Sequence, residues 1–352
     1  MLLLRLILGS LMVLNGFPFK NHALTGKKQM NQMQALQHSV TGLQQDVRQF
    51  LHWLQSQSYA FTTISPTSHT AYLKRSGKTQ AANLTDVFGW SLPFRSSLLP
   101  DFIFKLLLNN QLLTQKQNLW CSQIRVSSLN GHLLVHSAYP TAEENAVFFG
   151  PDTYRFIYAL QHHLNQHRPA ITRAIELCSG AAPATISLAH YAPKAEIFAA
   201  DINPLALTYG AINSSLNGAE QVQAIHSNLL QQVEGQFDLI TANPPYLVDR
   251  HQRLYRHGGE LLGAELALNI VKQSLPRLSL HGTLLLYTGV VIAHGKDLLQ
   301  QAVQQHLAEF GVQFSFNYQL IDPDIFADEL NEQDYPGAER IAAVVLTISR
   351  NT

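Results

Sequence analysis

From about Ala146 to the C-terminus, short apolar runs alternate with helix-length segments, and that rhythm leaves few architectures open. The runs AIELC (174–178), EIFAAD (196–201), VQAIHS (222–227), FDLITA (237–242), TLLLYTG (283–289), FSFNYQLI (314–321) and IAAVVLTIS (341–349) have the length and composition of strands. Segments with helical patterning separate them, including ATISLAHYA, PLALTYGAINSSL, ELALNIVKQSLPRL and KDLLQQAVQQHLAEF. Parallel strands need a crossover between them, and crossover helices cover both sheet faces. No helix separates the last two runs, so they are expected to close as an antiparallel pair. The expected fold over residues 146–352 is therefore α/β, a doubly wound seven-stranded sheet.

The region before it reads differently. A helix is expected over 34–59, with Leu43, Val47, Leu51 and Leu54 on one face, and a second over DFIFKLLLNNQLL (101–113). The runs QIRVSSL and HLLVHSA flank Asn130-Gly131, a two-residue hairpin signal. Residues 30–145 are thus expected to form a smaller α+β domain, winged-helix-like in its order of elements. Residues 1–29 open with MLLLRLILGSLMVLNGFPFK, about 14 apolar-dominated residues where a membrane span needs roughly 20. They read as an extension upstream of a start at Met30 or Met33, with an export signal, an anchor or a packed helix as alternatives. The favoured reading carries no stable membrane association.

Charge and cysteine content narrow the function. Net charge is zero, but Arg5, Lys20, Lys27 and Lys28 face no acid within 1–29, leaving 20 basic against 24 acidic residues beyond them. Global charge therefore gives no support to a partner held by phosphate neutralisation. Cys121 and Cys178 make no disulfide framework, which fits a reducing, cytoplasmic setting.

In sheets of this kind ligands sit at the carboxyl ends of the strands. The first strand ends in Glu176 and runs into the small-residue turn Cys178-Ser179-Gly180-Ala181-Ala182 ahead of Pro183. The second ends in Asp201, a carboxylate suited to paired ribose hydroxyls, and the third in Ser227-Asn228. The fourth stops at Asn243-Pro244-Pro245-Tyr246, where two prolines remove backbone donors and stiffen the turn. Helix capping, tight turns and a solvated His162/His163/His167 face would account for single features, and no metal site is read.

Taken in that order, these turns resemble the class I S-adenosylmethionine-dependent methyltransferases, in the branch with Asn-Pro-Pro-Tyr after the fourth strand. That branch includes release-factor glutamine, adenine amino- and small-domain ribosomal RNA guanine methyltransferases. The resemblance implies a Rossmann-like methyltransferase sheet over about 146–350 and S-adenosylmethionine as cofactor. It implies that the turn with Glu176, Cys178, Gly180 and Ala182 wraps the methionine part, Asp201 holds the ribose and Asn228 the adenine. Phe149 to Thr153 resembles the stretch bordering the cofactor, which adds Thr153. The family's turn commonly has an aspartate and three alternating glycines; here Gly180 alone remains, and Asn228 stands where an aspartate is common.

An amide or aryl amine is a poor nucleophile because its lone pair is delocalised. The Asn243 side-chain oxygen and the Pro244 carbonyl are suited to accept its N–H hydrogens, with Tyr246 stacked on the planar acceptor. The loop with Pro245, Arg250, Arg253 and Arg256 is positioned for a phosphate or carboxylate of the substrate, or else is a solvated lid. Residues 322–339, with seven acids and no base, should lie at the same rim and either repel nucleic acid, pair with that loop or attract an amine. The expected function is N-methylation of a protein glutamine, an RNA or DNA base, or a small molecule. A non-catalytic cofactor-binding module and an exported or membrane-associated protein are the alternatives.

Overall fold

The computed structural model describes residues 42–352. The apolar stretch 1–29 and the start of the helix expected from residue 34 lie outside the described residues. Helix α1 (residues 42–56) buries Leu43, Val47, Phe50, Leu51 and Leu54, the face marked by their spacing. Helices α2 (Pro66–Ser76) and α3 (Leu84–Phe88) occupy a segment whose polar composition concealed them, and Ser65 and Asn83 cap their N-termini through side-chain oxygens.

The next helix, α4 (Asp101–Asn109), is shorter than the 101–113 expected. Gln111 turns the chain at φ 57°, and Leu113 opens β1 (Leu113–Lys116), paired with β2 (Leu119–Ser122). Leu112 and Leu113 are buried, as they would be on a helix, so their apolar character does not mark the change. The hairpin of β3 (Ile124–Leu129) and β4 (His132–Ser137) turns at Asn130-Gly131, both with positive φ, as the dipeptide demands.

Helix α5 (Pro151–His167) leads into the main sheet. There follow β5 (Arg173–Leu177), α6 (Pro183–Tyr191), β6 (Glu196–Asp201), α7 (Pro204–Leu216), β7 (Val222–His226), β8 (Phe237–Ala242), α8 (Glu265–Ser274) and β9 (Leu278–Ala293). The short β10 (Lys296–Asp297), α9 (Leu298–Ala308), β11 (Phe314–Ile325) and β12 (Ala338–Arg350) complete the chain. The order across the sheet is β11-β12-β9-β8-β5-β6-β7. Strands β5 to β9 run parallel, while β12 is antiparallel to β9 and β11 to β12, as the missing helix between the last two requires.

Alternate residues along the strands enter different cores. Leu285, Tyr287, Ile341, Ala343 and Val345 pack on one face, and Leu284, Leu286, Ala342, Val344 and Leu346 on the other. That two-sided burial is why these strands read as continuous apolar runs.

The N-terminal elements are bolted to this sheet by polar contacts inside the core. Asn213 on α7, fully buried, accepts from Val135 N at 2.8 Å and donates to Val135 O and Ala181 O at 3.0 Å each. One amide thus joins β4 to the turn after β5. Leaving those partners unpaired would cost about 1–3 kcal/mol apiece, so the junction is specific as well as tight.

Candidate active site

The parallel strands end at one edge, and the turns that leave them line a single cleft. Cys178, Gly180, Asp201, Asn228, Asn243, Pro244, Pro245, Tyr246, Thr153 and Arg256 all contribute to its wall. Among the expected site residues, Glu176, Ala182, Arg250 and Arg253 do not face it.

The turn after β5 has an alternating conformation. Cys178, Gly180 and Ala182 all adopt left-handed φ, at 53°, 52° and 61°. Only glycine takes that region without a steric penalty, and here two L-residues are held in it by their surroundings. Helix α7 approaches closely at Gly210, where a β-carbon would stand 3.2 Å from Ala182 Cβ. Ala182 is fully buried as the residue before α6, so it shapes the turn from behind. Burial pushes the Cys178 thiol up, which disfavours its thiolate form.

Glu176 also acts from behind. Its carboxyl accepts from Thr185 N at 2.8 Å and Ala184 N at 3.3 Å, closing the first turn of α6. Burial pushes its pKa up to about 8, against the lowering pull of those two amides. Because the folded value lies above the unfolded one, near 4.5, the stability this group contributes is complete on the acid side and is lost as pH rises through about 8. Tm is accordingly expected to fall between about pH 4.5 and 8, and Glu176→Gln to flatten that fall; an unchanged slope in the variant would contradict it.

Asp201 joins two of the turns. One carboxylate oxygen accepts from Gly180 N at 2.9 Å and the other from Asn203 N at 2.8 Å. Burial raises its pKa, opposed by those bonds. Each oxygen keeps a further lone pair toward the cleft. Beyond it, Ile202, Ala206 and Leu229 give an apolar wall that ends at the exposed Asn228.

At the β8 end, Asn243 is half-buried and the Tyr246 ring is buried. Its hydroxyl donates to Asp152 Oδ2 at 2.7 Å, and Tyr287 donates to Asp152 Oδ1 at 2.6 Å. Burial and the Asp152 charge hold the Tyr246 phenol well above its ordinary pKa, so it stays protonated. The ring lies on Gly289 of β9, where a β-carbon would come within 2.3 Å of it. Tyr246 is therefore wedged and tethered at the cleft wall.

The arginines of the loop are engaged by carboxylates. Arg253 forks onto Asp249 at 2.6 and 3.0 Å, and Arg250 pairs with Asp334 at 2.8 Å. Arg256 pairs with Glu329 and stands 3.6 Å from Asp249, while the Tyr335 hydroxyl accepts from Val248 N at 2.8 Å. The acidic segment 322–339 thus pairs with Arg250 and Arg256 of the loop, one of the outcomes its composition allowed. Folded over the rim, it also brings Phe326 to 6.1 Å from the Tyr246 ring.

Sequence reasoning missed the apolar half of the cleft. Pro66 of α2, Phe148, Leu254, Tyr255 and Phe326 line it, with Phe148 and Tyr255 near-parallel at 5.8 Å. Phe148 stands directly before the segment singled out at 149–153, and Tyr255 lay between the loop arginines, which drew attention to charge. Pro66 and Phe326 had no local signal.

A family model described as a methyltransferase small domain matches residues 157–307. The chain is 34% identical over 143 residues to the ribosomal protein uL3 glutamine methyltransferase of Neisseria gonorrhoeae, covering 38% of this chain and 46% of that one. It is 30% identical over 90 residues to the release factor glutamine methyltransferase of Mycolicibacterium smegmatis, 25% of this chain and 32% of the relative. The chain spans about half the length of the curated relatives it matches. Among solved structures, ribosomal protein L11 methylase from Lactobacillus delbrueckii aligns with TM-score 0.38 and 19% identity, over 56% of this chain and 80% of that one. Among the described residues, no helix is long and apolar enough to cross a membrane.

Proposed function

We propose that this protein is an S-adenosylmethionine-dependent N-methyltransferase whose acceptor is the side-chain amide of a glutamine in a protein. The observation that carries the reading is the meeting of Asn243 and Pro244 with Asp201, Asn228 and the left-handed turn at 178–182 in one cleft. The donors and acceptors fit the cofactor: a carboxylate for two vicinal hydroxyls, an amide at the exposed end, and an apolar wall between them. Gly180 faces open space, its nearest neighbour to a β-carbon being Val147 at 3.9 Å.

Bound S-adenosylmethionine supplies an electrophilic methyl group, and its sulfur would leave as a neutral thioether. The chain's own residues prepare the acceptor nitrogen. The Asn243 oxygen and the Pro244 carbonyl accept its two N–H hydrogens, which orients the NH2 group and favours a geometry with the nitrogen lone pair released from the carbonyl. Positive charge that develops on nitrogen is stabilised by the same two oxygens, already in place, and one N–H proton would pass to solvent. Pro244 is buried and Pro245 half-buried, so the turn has little freedom to relax away. Phe148, Leu254, Tyr255 and Phe326 exclude water from the acceptor side.

The choice of a protein amide over a nucleic-acid base rests on charge. Arg256 is the arginine among the lining residues, and it is paired with Asp249 and Glu329. The lining residues therefore offer no unpaired lysine or arginine to a phosphate backbone, whose binding depends on such groups. The similarity to two protein glutamine methyltransferases points the same way.

Calorimetric titration with S-adenosylmethionine and, separately, NAD tests the cofactor half of the reading. Micromolar binding of the first alone is the expected result. Binding of neither, or tighter binding of NAD, would overturn it.

A further inference from the structure

Asp152 is the second residue of α5, nearly buried, and four groups converge on it or its partner. Tyr246 and Tyr287 donate to its two oxygens at 2.7 and 2.6 Å, and Arg155 reaches Oδ1 at 3.2 Å while its other nitrogen binds Asp322 at 3.0 Å. These residues come from α5, the turn after β8, β9 and β11, four elements far apart in sequence. The Tyr246 ring has no slack beneath it, since it touches Gly289. Its backbone has none either, because a β-carbon at Gly263 would stand 2.2 Å from Tyr246 O. The remaining freedom of the ring is at its hydroxyl tip, and Asp152 removes it.

We propose that Asp152 is a positioning residue for methyl transfer: by holding the Tyr246 hydroxyl it fixes the Asn243–Tyr246 turn in register with the cleft. Through Arg155 and Asp322 it also ties that turn to the arm that carries Phe326 over the acceptor side. The inference rests on the function proposed above, because the turn it positions is the one assigned to the acceptor nitrogen. Asp152 need not touch substrate or cofactor to do this.

Two readouts on the full chain separate this role from general structural support. In Asp152→Asn, amides of the loop at 246–258, such as Leu247 and Gly258, are expected to exchange hydrogen at least about tenfold faster, with core strands β5 and β8 unchanged. In transfer assays, kcat is expected to fall about 10- to 100-fold, with the KM for S-adenosylmethionine within about threefold, as a small misplacement of reacting groups does. Tyr246→Phe removes one hydroxyl and should loosen the same amides. The double variant should be no slower than Asp152→Asn alone, since both act on one bond.

Unchanged loop exchange, unchanged kcat, or additive losses in the double variant would overturn the proposal. If the unsubstituted protein transferred no methyl group, the function would fall, and the exchange comparison would still decide whether Asp152 holds the turn. Should Asp152→Asn fold poorly, Tyr246→Phe carries the same exchange test.

Discussion

Replacing Asn243 by alanine is expected to lower kcat for methyl transfer about 100- to 1,000-fold while cofactor affinity stays within about threefold. The size follows from the kind of group removed. Asn243 offers a preorganised oxygen at the point where positive charge develops on nitrogen, in a cleft with apolar and aromatic walls. Deleting one such group from a preorganised site costs on the order of 3–4 kcal/mol of barrier. Asn243 is half-buried at the tip of a turn, so its side chain supports little of the core and Tm should hardly move. Activity measured at saturating cofactor, beside a titration of the variant, checks both halves. Activity within threefold of the unsubstituted protein would remove Asn243 from the reaction.

The second large effect belongs to Asp201 and has the opposite signature. Asp201→Ala is expected to weaken S-adenosylmethionine by at least about 150-fold, because two charge-assisted bonds to ribose hydroxyls are lost at about 1.5–3 kcal/mol each. Some stability goes with it, since Gly180 N and Asn203 N lose their shared acceptor. At saturating cofactor, kcat should recover to within a few-fold, which Asn243→Ala cannot do. Titration calorimetry and a cofactor dependence of rate measure the two quantities separately. A variant that kept its affinity would show that Asp201 serves only the turns.

The centre of the sheet was legible from the chain because β5, β6, β8, β9 and β12 are largely buried and announce themselves as apolar runs. The edge strands β7 and β11 are instead mostly half-buried or exposed. The absence of a helix between residues 321 and 341 likewise foretold the antiparallel closing pair. The strand-end residues were legible for a related reason: parallel strands deliver their C-terminal turns to one edge, so Asp201, Asn228 and Asn243 had to meet. Conformation inside the turn was not legible. Cys178 and Ala182 hold left-handed φ that their side chains disfavour, and only the packing of α6 and α7 around them imposes it.

Long-range polar pairing was equally hidden. Asp152 lies 94 residues from Tyr246 and 135 from Tyr287, and nothing local marks it as their common acceptor. Glu176, read as facing the ligand, turns to the helix behind the turn because the first amides of α6 need an acceptor. The pairing of the 248–260 loop with the arm at 322–339 was foreseeable from charge, but not its partners. Arg250 and Arg256 take Asp334 and Glu329, while Arg253 turns to Asp249 in its own loop. Charge composition showed that the two segments were complementary, but only the topology of β11 and β12 brings them together.

The most direct test of the central claim is transfer itself. The full chain would be incubated with methyl-labelled S-adenosylmethionine and intact ribosomes or purified release factors, and protein and RNA fractions analysed by mass spectrometry. The account predicts one labelled methyl group on a glutamine side-chain amide, absent when Asn243→Ala replaces the unsubstituted protein. Label on an RNA base, or no label in any fraction despite bound cofactor, would contradict it.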